Sequence, residues 1–161
     1  MRALLIGRNP KRTLIRIVVL VAACWVIFTL ILLPIRVTGI SMVPTYPNRS
    51  FNLVNRLAYL RHEPQRGDVV SIRLTGLHGL FMKRIIGLPG ETVAFVNGRV
   101  FINGNILDEP YEENLACDWD RPPVTLAADE YYFVGDNRSM PQADHTQGVK
   151  KRIYIVGKVL L

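Results

Sequence analysis

The sequence predicts a mainly β chain, in which a single N-terminal transmembrane helix, 17–35, leads into a compact, barrel-like domain of many short strands, 36–161. Three observations carry this. Nineteen uncharged residues, IVVLVAACWVIFTLILLPI, lie between Arg16 and Arg36. After Thr45 the apolar residues come in short runs divided by Pro, Gly, Asn and Asp, the punctuation of strands and turns. No stretch of the domain keeps a long 3.6-residue periodicity.

As a helix, the apolar run would span roughly 28 Å, close to the hydrocarbon thickness of a bilayer. It has no polar face, which argues against a surface or core helix. A cleavable signal peptide has a shorter apolar core and ends in an A-x-A-like site. Here Leu33 is followed by Pro34, Ile35 and Arg36. The tail 1–16 holds Arg2, Arg8, Lys11, Arg12 and Arg16 with no acid among them. The positive-inside rule therefore predicts a cytoplasmic tail, a single pass through the plasma (inner) membrane and an extracytoplasmic domain. The net charge of +7 is concentrated beside the membrane run, so it reads as topology and lipid-headgroup contact with the bilayer rather than nucleic-acid binding.

Within the domain, FNLVNRLAYL is followed by a polar loop, RHEPQRGD, and then by the strands VVSIRL and LFMKRIIG. ETVAFVNGRVFINGNIL reads as a hairpin, with Val93 to Val96 and Arg99 to Ile102 flanking Asn97-Gly98, the dipeptide of a two-residue type I′ turn. Residues 108–123, with six acids and three prolines, read as an irregular connection. EYYFVG and RIYIVGKVL supply the closing strands. Of the two cysteines, Cys24 lies in the membrane run and Cys117 in the domain, so an internal disulfide is not expected.

The three histidines, His62, His78 and His145, have no metal-ligand spacing. No glycine-rich phosphate loop occurs, and no G-x-S-x-G elbow supports a Ser-His-Asp triad. The other available base is a lysine. If LFMKRIIG is a strand, Lys83 shares a face with Phe81 and Ile85, and Arg84 shares the other with Met82 and Ile86. Between two apolar neighbours a lysine is desolvated, which favours the neutral amine. Two readings fit Lys83: a buried base, or a cation that snorkels to water. Two also fit Ser41 in TGISMVPTY: a nucleophile, or the start of a turn before Pro44.

Taken together, the blocks resemble the type I signal peptidases (leader peptidases), membrane-bound Ser-Lys proteases. GISMVPTY looks like their S-M-x-P-T motif and RGDVVSIR like the strand block after it. FMKRIIGLPGETV matches K-R-[IV]-[IV]-G-x-P-G-[DE]. NGRVFINGNILDEPY resembles the N-G-x-x-x-[IV]-N-G hairpin with its E-P-Y. YYFVGDNRSMPQADHTQG and RIYIVGKV resemble the G-D-N block and last strand. The resemblance implies Ser41 as nucleophile, Lys83 as general base, an acyl-enzyme intermediate and no metal or organic cofactor. The implied partners are signal peptides of exported preproteins, with small residues one and three positions before the cut. Gly39, Met42, Asp136 and Asn137 are implied as oxyanion-hole or supporting residues, with the Ser41 N–H as the minimal donor and Thr38 as a possible helper. The last block departs from G-D-N-x-x-x-S-x-D-S-R-x-x-G: Pro141, Ala143 and His145 stand where serine, aspartate and arginine are expected. Ser139 is then a candidate to replace the missing serine, and Asp144 with His145 a candidate charged pair. A membrane-anchored binding module that keeps the fold without turnover, and a self-cleaving Ser-Lys regulator, are the competing functions.

Overall fold

The computed structural model describes residues 9–73, 79–110 and 119–160. His78 and Cys117 lie outside the described residues, as does Tyr111 of the E-P-Y triplet. The chain is mainly β behind one apolar helix, as expected from sequence. Helix α1 (Pro10–Val26) starts with proline at a first-turn position, where the missing N–H costs nothing. A π-helical turn (Ile27–Ile31) continues it. The 22-residue stretch Pro10–Ile31 is long and apolar enough to cross a membrane, and none of it is buried in the protein.

The helical stretch begins earlier and ends earlier than the apolar run suggests. Leu32 to Arg36 form a strand, β1 (Leu32–Arg36), paired antiparallel with β2 (Phe51–Asn55) from Leu32↔Asn55 to Arg36↔Phe51. Pro34 explains the switch. It cannot continue a helix, but it fits β1 because β1 is the edge of its sheet. Arg56, just past β2, donates its backbone N–H to the Ile31 carbonyl and its guanidinium to the Thr29 carbonyl (2.9 and 2.8 Å). The last carbonyls of the helical stretch are thus capped by the domain itself.

The remaining strands are β3 (Val69–Arg73), β4 (Leu80–Gly87), β5 (Thr92–Val96), β6 (Arg99–Ile102), β7 (Asn105–Ile106), β8 (Arg121–Thr125), β9 (Glu130–Val134), β10 (Gly148–Lys151) and β11 (Ile155–Leu160). They form two antiparallel sheets, in the orders β1-β2-β11-β3-β4-β9-β10 and β7-β6-β5-β8. The hairpin turn falls at Asn97-Gly98, both with positive φ (47° and 75°), the geometry of a type I′ turn. Residues 121–123, expected to be irregular, belong to β8; Pro122 and Pro123 fit there because β8 is an edge strand.

Three apolar clusters hold the sheets. Ile86, Phe95, Val100, Trp119, Tyr132 and Val134 pack between the two sheets. Val37, Met42, Tyr46, Val54, Val69, Met82 and Val159 form a second cluster beneath the loop after β1. Val70, Ile72, Ile85, Tyr131, Phe133 and Ile155 form the third. A buried ion pair supports the first: Arg138 donates twice to the Glu109 carboxylate (3.1 and 2.6 Å), and its guanidinium lies over the Phe95 and Trp119 rings. Removing one charge of such a pair is destabilising in the interior, so Glu109→Gln should cost about 3–5 kcal/mol. A urea titration of the detergent-solubilised chain measures this, and an unchanged midpoint would mean that the pair is dispensable.

Candidate active site

The Ser41 loop leaves β1 through Gly39, whose φ of 110° lies in the region glycine favours. Its N–H donates to Asn48 Oδ1 (3.1 Å). Residues 41–45 then turn tightly, closed by the Tyr46 N–H on the Met42 carbonyl (2.8 Å). Met42 and Tyr46 are buried in the second cluster, so the side chain following Ser41 anchors the turn while Ser41 itself stays half-buried. The Ser41 backbone N–H makes no hydrogen bond among the described residues. It is available as an oxyanion donor, whereas the Gly39 N–H is not. Thr38 lines the adjoining cleft with Ser41.

Lys83 lies on β4 opposite Val70, and strand alternation gives it the same face as Phe81 and Ile85, whose cross-strand partner is Phe133. It does not snorkel: Lys83 is 3% exposed, and its Nζ donates to Ser41 Oγ at 2.7 Å. Burial lowers its pKa from 10.5 to about 8, against the opposing pull of the Asp136 carboxylate. About one lysine in ten is then neutral at pH 7, against about one in 2,500 for an unperturbed lysine.

The loop after β9 stitches these groups together. Asp136 accepts two bonds from Arg84 (2.8 and 2.6 Å) and one from the Thr45 hydroxyl (2.6 Å). Its charge is therefore largely answered before it reaches Lys83. Asn137 donates its backbone N–H to the Ser41 carbonyl and its amide to the Ile40 carbonyl, both at 3.0 Å. Gly135 fits closely: a Cβ there would come within 2.2 Å of the Ser41 carbonyl oxygen and 2.6 Å of the His145 ring. Two candidates are placed otherwise than expected. The Ser139 hydroxyl donates to Asn137 Oδ1 (2.6 Å) and does not hold Lys83. Asp144 is exposed in a short 3₁₀ turn, Gln142–Asp144, and forms no pair with His145, which is buried with both ring nitrogens unpartnered among the described residues. The turn sends neighbouring side chains in opposite directions, which the spacing alone does not reveal. No group of three or more His, Cys, Asp or Glu suited to a metal ion occurs among the described residues.

The family described as "Signal peptidase, peptidase S26" matches residues 11–161. The chain belongs to this family. Signal peptidase I of Leptolyngbya laminosa is 35% identical over 129 residues, 75% of this chain and 63% of that protein, so the chain spans less than two thirds of the relative's length. Signal peptidase I S of Bacillus subtilis strain 168 is 37% identical over 134 residues, 76% of this chain and 71% of that one. The crystal structure of a signal peptidase I from Enterococcus faecalis V583 aligns with a TM-score of 0.49 at 26% identity, covering 61% of this chain and 97% of that one.

In this S26 chain Ser41 lines a cleft of about 420 Å³ between the segment that ends β1 and the start of β4. Ile35, Val37, Leu80, Phe81 and Met82 give it apolar walls. Sequence reasoning did not single out Arg84, Thr45 or Gly135 as site residues. Arg84 and Asp136 carried a usable signal, an Arg beside the lysine and an Asp beside the closing glycine, each on a strand or loop that reads as buried. Thr45 and Gly135 carried none, because their roles depend on the close approach of two distant segments.

Proposed function

We propose that this S26 chain is a membrane-anchored serine endopeptidase that removes N-terminal signal peptides from exported preproteins through a Ser41–Lys83 dyad and an acyl-enzyme. The observation that carries this is the 2.7 Å contact between a buried lysine amine and a half-exposed serine hydroxyl beside an apolar cleft. A neutral Lys83 takes the Ser41 proton as Oγ attacks the scissile carbonyl, and the Ser41 N–H faces the developing oxyanion. The ammonium then protonates the leaving amine, and water, activated by the same lysine, hydrolyses the ester. Small side chains such as alanine next to the cut, which the resemblance implies, would meet the cleft's apolar walls. Helix α1 and its π turn anchor the domain in the plasma (inner) membrane, with the basic tail in the cytoplasm.

The test is cleavage of a preprotein by the purified chain in detergent micelles, with sequencing of the new N-terminus. The sign of the pH effect follows from protonation: the ammonium has no lone pair, so kcat/KM should fall as pH drops below about 8, the value to which burial brings Lys83. Protease added to intact spheroplasts should digest the domain. Failure to cut, a rate independent of pH between 6 and 9, or a protected domain would each refute the corresponding part.

A further inference from the structure

Lys83 Nζ has one hydrogen-bond partner among the described residues, Ser41 Oγ. One partner suffices for a neutral amine aimed at a hydroxyl. It does not suffice for the ammonium formed on proton transfer, which has three N–H groups in a site where Lys83 is 3% exposed. Buried charged donors without acceptors are costly. The carboxylate of Asp136 is already engaged by Arg84 and Thr45, and Ser139 by Asn137.

His145 has unused acceptor capacity at this place. It is 5% exposed, and neither Nδ1 nor Nε2 has a partner among the described residues. Its ring packs edge-on against Trp119 with centroids 4.7 Å apart. Gly135 sets it against the nucleophile: a Cβ on Gly135 would lie 2.8 Å from His145 Nε2 and 2.2 Å from the Ser41 carbonyl oxygen, so both border one small space. The charged groups acting on the ring are Lys83 on β4 and Arg138 in the loop after β9. Burial first, and then these two charges, lower its pKa to about 3, against a weaker pull from the Asn137 backbone. The ring is therefore neutral wherever Lys83 titrates, and a neutral imidazole keeps one bare nitrogen.

We propose that His145 is a positioning residue for Lys83, a neutral imidazole whose bare ring nitrogen accepts an N–H of the Lys83 ammonium formed during acylation. The proposal rests on the Ser41–Lys83 reading above. In the step itself the Ser41 O–H bond breaks, its proton joins the Nζ lone pair, Oγ bonds to the carbonyl carbon, and the carbonyl π pair moves onto oxygen. His145 exchanges no proton. It keeps Nζ aimed at Ser41 while the charge develops.

The experiment compares the full chain in micelles with His145→Phe and His145→Gln. Phenylalanine keeps a ring against Trp119 and removes the acceptor. Its kcat should fall ~10–100-fold with KM little changed, a loss of the size that misplacing a catalytic group produces. The acidic limb of its kcat/KM profile should move to lower pH, because the ammonium has lost a partner. Glutamine, with an amide oxygen, should recover most of kcat and return the limb toward wild type. Equal losses in both variants with an unmoved limb would mark His145 as packing only and overturn the proposal, as would a fully active His145→Phe. A spectroscopic arm holds even where a variant folds poorly. The ¹⁵N shift of one His145 ring nitrogen in the wild-type chain should titrate near pH 8 with Lys83 and lose that titration in Lys83→Met; a pH-independent shift overturns the proposal. Failure of the underlying dyad is distinguishable, since Ser41→Ala would then still cleave.

Discussion

Ser41→Ala, Lys83→Met and Lys83→Arg should each reduce preprotein cleavage by at least ~10³-fold, and the Ser41→Ala/Lys83→Met double variant should be no worse than the singles. Members of one catalytic unit fail together, because removing either part removes the same step. Methionine matches the lysine stem in an apolar setting beside Val70 and Ile85, so Lys83→Met removes the amine while filling its space. It should fold at least as well as the parent, since a buried amine is costly to hold. Arginine is the sharper variant. Its guanidinium stays protonated and cannot accept the serine proton, and its planar head is larger than the site left by Nζ. Single-turnover kinetics with excess enzyme, alongside thermal melts, separate lost chemistry from lost fold. Cleavage within tenfold of wild type by Lys83→Arg would remove the assignment of Lys83 as base.

Gly135→Ala is expected to be nearly as damaging, with no change in any reacting group. The added methyl would sit 2.2 Å from the Ser41 carbonyl oxygen and 2.6 Å from the His145 ring. The first of these neighbours is backbone and cannot rotate away. Relief requires moving the Ser41 loop or the loop that carries Asp136 and Asn137, and these are held together by the Asn137 bonds to Ile40 and Ser41. A displacement of about 1 Å costs on the order of 10²-fold in rate. The loss should fall on kcat, with Lys83 and Ser41 both present and the chain folded. A Gly135→Ala variant with wild-type kcat would mean that the two loops are not held in this close approach.

How far the sequence revealed this arrangement depended on whether each feature was local. The hairpin at Asn97-Gly98 was legible because a two-residue turn with positive φ has a short, specific signature. Strand alternation, local too, put Lys83 between Phe81 and Ile85 but left a buried base and a snorkelling cation both open, because how far a long side chain reaches depends on what packs over it. Strand β1 was hidden because an unbroken apolar run looks the same as helix or strand, and only Pro34 spoke against helix. The buried His145 was hidden because whether it or Asp144 faces inward is decided by a three-residue turn. The tie between Arg84 and Asp136 spans 52 positions, and no pattern within either segment states it.

The continuity of helix, π turn and β1, with Arg56 fastened to the last helical carbonyls, has a mechanical consequence. No slack linker separates the apolar helix from the sheet, so with that helix in the bilayer, as proposed, the domain could not swing freely or rise away from the lipid. The height of Ser41 above the bilayer becomes a fixed length, as on a caliper. On the proposed function, such a device would select its cut by depth as well as by side chain. A preprotein whose cleavage position emerges one or two turns too far from the lipid would pass the jaws untouched, however well its residues suit the cleft.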